Sequence, residues 1–177
     1  MTELDLTRTA VINAGPDRLW EILGDDFLDV AHWVRSIASS GANPNAPRND
    51  AGREGGRSCE IAGFGTTDER LTRFDPGTRS LAYTVAARKI PPFVKDMHNE
   101  WSVDDLGDGR ARVTSRITAD ASGPMGALIA PMMRRKLSAT QKDILEDLAA
   151  YAETGAPSEA KQKANMKRGA RVSPQPS

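Results

Sequence analysis

The chain has one cysteine, two histidines and no long apolar run. Cys59 stands alone, so no disulfide can form within the chain. Neither His32 nor His98 has a partner at metal-ligand spacing, so no metal site and no cofactor is expected. No Ser-His-Asp order suits the strand and helix pattern, which argues against a hydrolase triad. The most apolar helix-like stretch, MGALIAPMM, is too short to span a bilayer and contains Pro131, so no integral membrane segment is expected. The first residues, MTELDLTRTA, lack a basic region followed by an apolar one. No signal peptide is expected there, and the expected location is cytoplasmic. GFGTTD lacks the third glycine of a dinucleotide fingerprint and leads into a strand, not a helix.

Net charge is absent overall but unevenly spread. The 177 residues carry 24 basic and 24 acidic side chains. Beyond Gly155 there are five basic residues and one acid, so the first 155 residues carry a net charge of −4. A mildly acidic body argues against a nucleic-acid partner. With 38% hydrophobic and 27% charged residues, the composition suits one globular domain over 1–155. Residues 156–177 are polar with almost no aliphatics, and a disordered basic tail is expected.

Periodicity orders the elements. LDLTRTAVI (4–12) alternates like a strand. Pro16 suits a first helical position, and Leu19, Trp20 and Leu23 then share a face. A second short helix is expected over 27–33 and a short strand over 34–40. The Gly-, Pro- and Asn-rich stretch 41–56 reads as a long loop. Strands are expected at 57–63, 67–74, 79–87, 97–104 and 110–120, with RKIPPFVKD interrupting the meander. From 124 to 153 the period is helical, with Leu137, Gln141, Ile144, Leu148 and Tyr151 on one stripe and a kink or break expected near residue 130. The fold class is α+β: a curved antiparallel sheet of about seven strands around one long C-terminal helix. A single helix cannot fill such a sheet, so a cavity is expected between them.

One hairpin holds an anomaly. In TDERLTRFDPGTRSLAYTV, Leu81, Tyr83 and Val85 share a face. The matching face of the first strand carries Thr67, Glu69 and Leu71, which puts a carboxylate among apolar neighbours. For Leu71 to lie beside Tyr83, a bulge is required, and Gly77 is the expected place for it. Glu69 then lines the interior as a polar or acid–base group, or is held there by Arg57, or is turned out to solvent by the bulge.

Several stretches carry a resemblance to the START-like, helix-grip (SRPBCC) superfamily, which includes polyketide cyclase/dehydrase-type proteins, abscisic-acid receptors and lachrymatory-factor synthase. GPDRLWEIL resembles its first helix and AHW its second. ERLTRFD resembles the E-R-L-x-x-x-D stretch of the receptor and synthase branch, and NEWSVDDLGDGRARVTSRI its W-x-V, glycine-turn, R-V-T hairpin. The resemblance covers roughly residues 3–153. It implies a pocket for a small hydrophobic or amphipathic molecule, gated by two loops. Those would be 41–56 or the glycines of AGFGTT, and RKIPPFVKD. It also places a pocket glutamate at Glu69. The branch uses a pocket cation three residues after a strand-entry glycine; counting from Gly56, that position holds Cys59.

The ligand-contacting residues expected are Trp33, Cys59, Glu69, Leu71, Tyr83, Val85, Asn99, Trp101, Ser115, Met132 and Met133, with Glu69 the best catalytic candidate. Three readings stay open. The chain is a carrier or sensor, an enzyme of cyclase, dehydratase or isomerase type, or a protein-interaction module with a filled interior. The sequence does not fix the oligomeric state.

Overall fold

A computed structural model describes residues 2–48, 52–87, 89–91 and 93–172. Parts of the 41–56 loop (49–51) and of RKIPPFVKD (Arg88 and Pro92) lie outside the described residues. Strand β1 (Thr2–Ile12) buries Leu4 and Leu6 and exposes Glu3 and Asp5, as a two-residue period requires. Pro16 opens the short helix α1 (Pro16–Trp20), which runs into one π turn (Glu21–Asp25) and a 3₁₀ segment (Phe27–His32). Then come β2 (Ile37–Ala42), β3 (Gly56–Ile61), β4 (Gly65–Asp75), β5 (Ser80–Ala87), β6 (Val94–Gly107) and β7 (Arg110–Ala121). Two helices close the chain, α2 (Gly123–Thr154) and α3 (Glu159–Val172).

The strands form one antiparallel sheet in the order β1-β7-β6-β5-β4-β3-β2. Because β1 pairs with β7, β1 and β2 lie at opposite edges, and the short helical segments carry the chain between them. The sheet curves about α2, as the α+β helix-grip expectation required. Gln141 fixes this packing: its amide nitrogen donates to the carbonyls of Leu6 and Ser115, each at 3.1 Å. No helix among the described residues is long and apolar enough to cross a membrane.

Three local expectations are corrected. First, α2 runs unbroken through Pro131. Pro131 and Ala127 are both exposed, so the carbonyl that the proline leaves without a donor sits on the solvent side. Second, the bulge in the β4–β5 pair is at Thr72, not Gly77. Leu71 pairs with Tyr83 and Glu69 with Val85, then Arg73 with Ala82 and Phe74 with Leu81. The extra residue brings Phe74 onto the same face as Leu71, against Trp20 at 5.1 Å. In the turn itself the left-handed residue is Arg79 (φ 46°).

Third, of the tail expected to be disordered over 156–177, residues 159–172 are helical, and 173–177 lie outside the described residues. Polar anchors substitute for the missing aliphatics. Ser158 caps the helix, accepting from the Lys161 amide at 3.1 Å, and its hydroxyl donates to the buried Asp147. Lys161 is buried and donates to the Ile37 carbonyl at 2.8 Å, while Arg168 donates to the carbonyls of Arg35 and Ile37. Asp147 in turn accepts from the Arg35 amide at 2.8 Å and from its guanidinium. So α3 is tied to the start of β2 and to α2 through one polar cluster.

Candidate functional site

A cavity of about 120 Å³ for the centres of water-sized molecules lies between the sheet, the short helical segments and α2. That is room for several waters or for part of a small organic molecule. Its wall is apolar for the most part: Leu23, Phe27, Ile61 and Leu81 come from four different elements, and Leu137 and Ile144 from α2. Phe64, in the β3–β4 turn, and Ile90, in the β5–β6 loop, complete it. These two loops, AGFGTT and RKIPPFVKD, approach each other. The Lys89 side chain passes over Gly65, and Lys136 of α2 lies 4.5 Å from the Phe64 ring. No described residue of the 41–56 loop lines the cavity, so the two candidate gates are the shorter loops.

The polar floor is built from the sheet ladder. Gly56 lets β3 and β4 approach, because a Cβ there would lie 2.1 Å from the Glu69 carbonyl oxygen. The next residue, Arg57, is the ladder partner of Glu69. Its Nε donates to Glu69 Oε2 at 2.6 Å, and both side chains are buried. Arg57 Nη1 donates to the Phe27 carbonyl at 2.6 Å, and Nη2 reaches the Tyr83 hydroxyl at 3.3 Å. The guanidinium also faces the Phe27 ring at 4.1 Å. Burial opposes the charge on Arg57, but the adjacent Glu69 carboxylate outweighs it and raises the pKa above the usual arginine value. A cation thus lies on the cavity wall at position 57, while position 59 holds Cys59.

The network continues to Asn99, the β6 ladder partner of Tyr83, whose Nδ2 donates to the Tyr83 hydroxyl at 2.9 Å. Burial, followed by the Glu69 charge, pushes the Tyr83 phenol above its ordinary pKa, so it stays a hydroxyl. Asn99 Oδ1 is buried without a partner. Turned over, the amide would accept from the Tyr83 hydroxyl and leave Nδ2 free instead. In either orientation one amide atom on the cavity wall stays unpaired. Trp33 Nε1, on the same wall, is also buried without a partner. Buried polar atoms are nearly always satisfied, so two on one cavity mark where a polar group or water belongs.

Six of the expected contact residues line the cavity: Trp33, Glu69, Tyr83, Val85, Asn99 and Trp101. Five do not. Cys59 packs in the core, where burial and then the Glu69 charge push its thiol up to about 12. Leu71 packs against the same core from the less enclosed half of β4. Ser115 lies under Gln141, accepting from its amide at 3.3 Å. Met133 packs in a second cluster with Leu4, Leu6 and Ala130. Met132 faces solvent, 66% exposed. Met133 precedes Leu137 by one helical turn and packs in that second cluster, while Met132 lies on the opposite side of the helix. Among the lining residues not expected, Arg57 matters most. Its signal was its place opposite Glu69 in an antiparallel pair. Leu137 and Ile144 were legible on the helical stripe.

The model of the family described as polyketide cyclase / dehydrase and lipid transport matches residues 3–153. Comparison with curated proteins finds no match. Among solved structures, the chain is similar to a START superfamily protein from Mycobacterium smegmatis (13% identity, TM-score 0.67, covering 84% of this chain and 97% of that one). It is also similar to the Zhui aromatase/cyclase from Streptomyces sp. R1128 (20% identity, TM-score 0.69, covering 86% and 94%). A third is the XoxI protein from Bacillus cereus (17% identity, TM-score 0.66, covering 85% and 96%). At these identities the likeness is one of fold.

Proposed function

Since the chain belongs to the polyketide cyclase / dehydrase and lipid transport family, we propose that it binds a small, largely apolar molecule bearing an oxygen function, as a carrier or sensor. One observation carries this reading. The apolar cavity holds two unpaired buried polar atoms, Trp33 Nε1 and one atom of the Asn99 amide. A ligand hydroxyl can accept from Trp33 Nε1 or donate to Asn99 Oδ1, and its hydrocarbon body replaces water against Leu81, Leu137 and Ile144. Glu69 supports the carrier reading, because its carboxylate is engaged with Arg57. The pair holds the floor of the site rather than presenting an acid to the ligand. A cavity of this size also speaks against the filled interior of a pure interaction module.

A second reading has its own observation. The Arg57 guanidinium lines the cavity with its charge retained and is backed by the Tyr83 hydroxyl. A ligand carbonyl placed there is polarised, the oxyanion-stabilising contact that ring closure or loss of water in a polyketone would use. The similarity to an aromatase/cyclase is of fold and supports this reading to that extent.

Native mass spectrometry of protein purified from its own host, followed by binding assays with the molecule found, separates the outcomes. The carrier reading expects one small oxygen-bearing apolar molecule per chain. It also expects Trp33→Phe, which keeps the ring and removes the N–H, to weaken its binding by about tenfold. Turnover of that molecule, lost in Arg57→Lys, would replace the carrier reading with the enzymatic one. A ligand bound equally by Trp33→Phe and Asn99→Leu contradicts the proposed polar contact.

A further inference from the structure

The first turns of α2 carry an unpartnered apolar face. Met125, Leu128 and Met132 are 54%, 75% and 66% exposed. Spaced by three and four, they share one side of the helix, opposite Gly126, Ala130 and Leu137, which pack inward. Pro124, Ala127 and Pro131 are exposed around them. One turn further on the surface turns basic, with Arg134, Arg135 and Lys136 all exposed. From Ala121 to Lys142 there is no acidic residue. Arg134 reaches across to the Glu3 and Asp5 carbonyls, and the Asp5 carboxylate is held by Arg116 at 2.7 Å.

From this face we infer a docking surface for an anionic phospholipid bilayer. The pattern is that of an interfacial segment: large flexible apolar side chains at one end of a helix, with cations at the depth of the headgroups. A second copy of the chain fits it less well. The apolar row is only about 10 Å long at 1.5 Å per residue, short for a stable protein interface. A two-fold pairing with the two helices parallel would also bring their basic clusters together. The position has a consequence. Lys136 covers Phe64, and Leu137 lines the cavity, so lipid on this face would lie one helical turn from the cavity wall. The inference rests on the helix surface and does not depend on what the cavity holds.

The test is flotation of the full chain with vesicles of phosphatidylcholine, and of phosphatidylcholine mixed with phosphatidylglycerol. The unaltered protein floats with the mixed vesicles and does so less as salt is raised. The pair Leu128→Gln, Met132→Gln lowers partitioning by about tenfold or more, and Arg135→Glu lowers it on mixed vesicles alone. All three positions are exposed, so the fold is not at stake, and Met125→Gln serves as an independent check. Failure of the unaltered chain to float with the mixed vesicles overturns the inference, as does equal flotation of the variants. Self-association that Leu128→Gln abolishes, without vesicle binding, assigns the face to a second copy and overturns it as well.

Discussion

Arg57 and Glu69 are ladder partners on β3 and β4, joined at 2.6 Å with both side chains buried under the cavity. Two charges taken out of water repay their desolvation only with close geometry and further hydrogen bonds. Both conditions are met here. The Phe27 carbonyl and the Tyr83 hydroxyl take further guanidinium N–H groups. The pair thereby couples the 3₁₀ segment, three strands and the cavity floor.

Glu69→Ala is expected to destabilise the fold by about 3–5 kcal/mol, because it strands a buried guanidinium. The double replacement Arg57→Met, Glu69→Leu removes both charges and is expected to recover most of that loss. Urea unfolding of the three proteins measures it. A cost below about 1 kcal/mol for the single change would show that Arg57 finds water instead.

Cys59 is expected to be inert. Its thiol is pushed from 9.0 up to about 12 by burial, then by the Glu69 charge. At pH 8 it therefore holds about a thousandfold less thiolate than an ordinary cysteine. Iodoacetamide should label the folded protein very slowly and the urea-unfolded protein at the normal rate. Rapid labelling of the folded chain contradicts the burial of this residue.

Lys161 should give the docking of α3 a pH dependence. Burial, followed by the charge of Arg168, lowers its pKa from 10.5 to about 8. Between these values the unfolded chain binds more protons than the folded one, so stability rises with pH. The cost of holding a buried ammonium is full below about 8 and is gone above 10.5. The difference in Tm between the natural chain and Lys161→Met is therefore expected to move in favour of the natural chain across that interval. A difference flat with pH sinks this account of the anchor.

What the sequence made legible follows from what its signals encode. Alternation in β4 and β5 put Glu69 on the apolar face, and Leu71 pairs with Tyr83 as expected. The site of the bulge was not legible. Gly77 offers left-handed backbone freely, but the turn closes with Arg79 in that conformation, and the extra residue is taken up at Thr72. The α3 helix was missed because an aliphatic stripe was sought where polar anchors do the packing. Pro157, Ser158 and Glu159 carried the capping signal. Arg57 escaped the list of site residues because the resemblance directed attention to position 59. The ladder opposite Glu69 named it directly.

Titration with an apolar fluorescent probe, on the natural chain and on Val85→Trp, tests the central claim that the cavity is a binding site. Val85 lines the cavity beside Glu69, and an indole there occupies its volume. The account predicts saturable binding of one probe per chain, lost in Val85→Trp while its circular dichroism and cooperative melting persist. If that variant melts early, Ile144→Trp fills the same space from the helix side. Absence of saturable binding by the natural chain, or undiminished binding by a folded, cavity-filled variant, would contradict it.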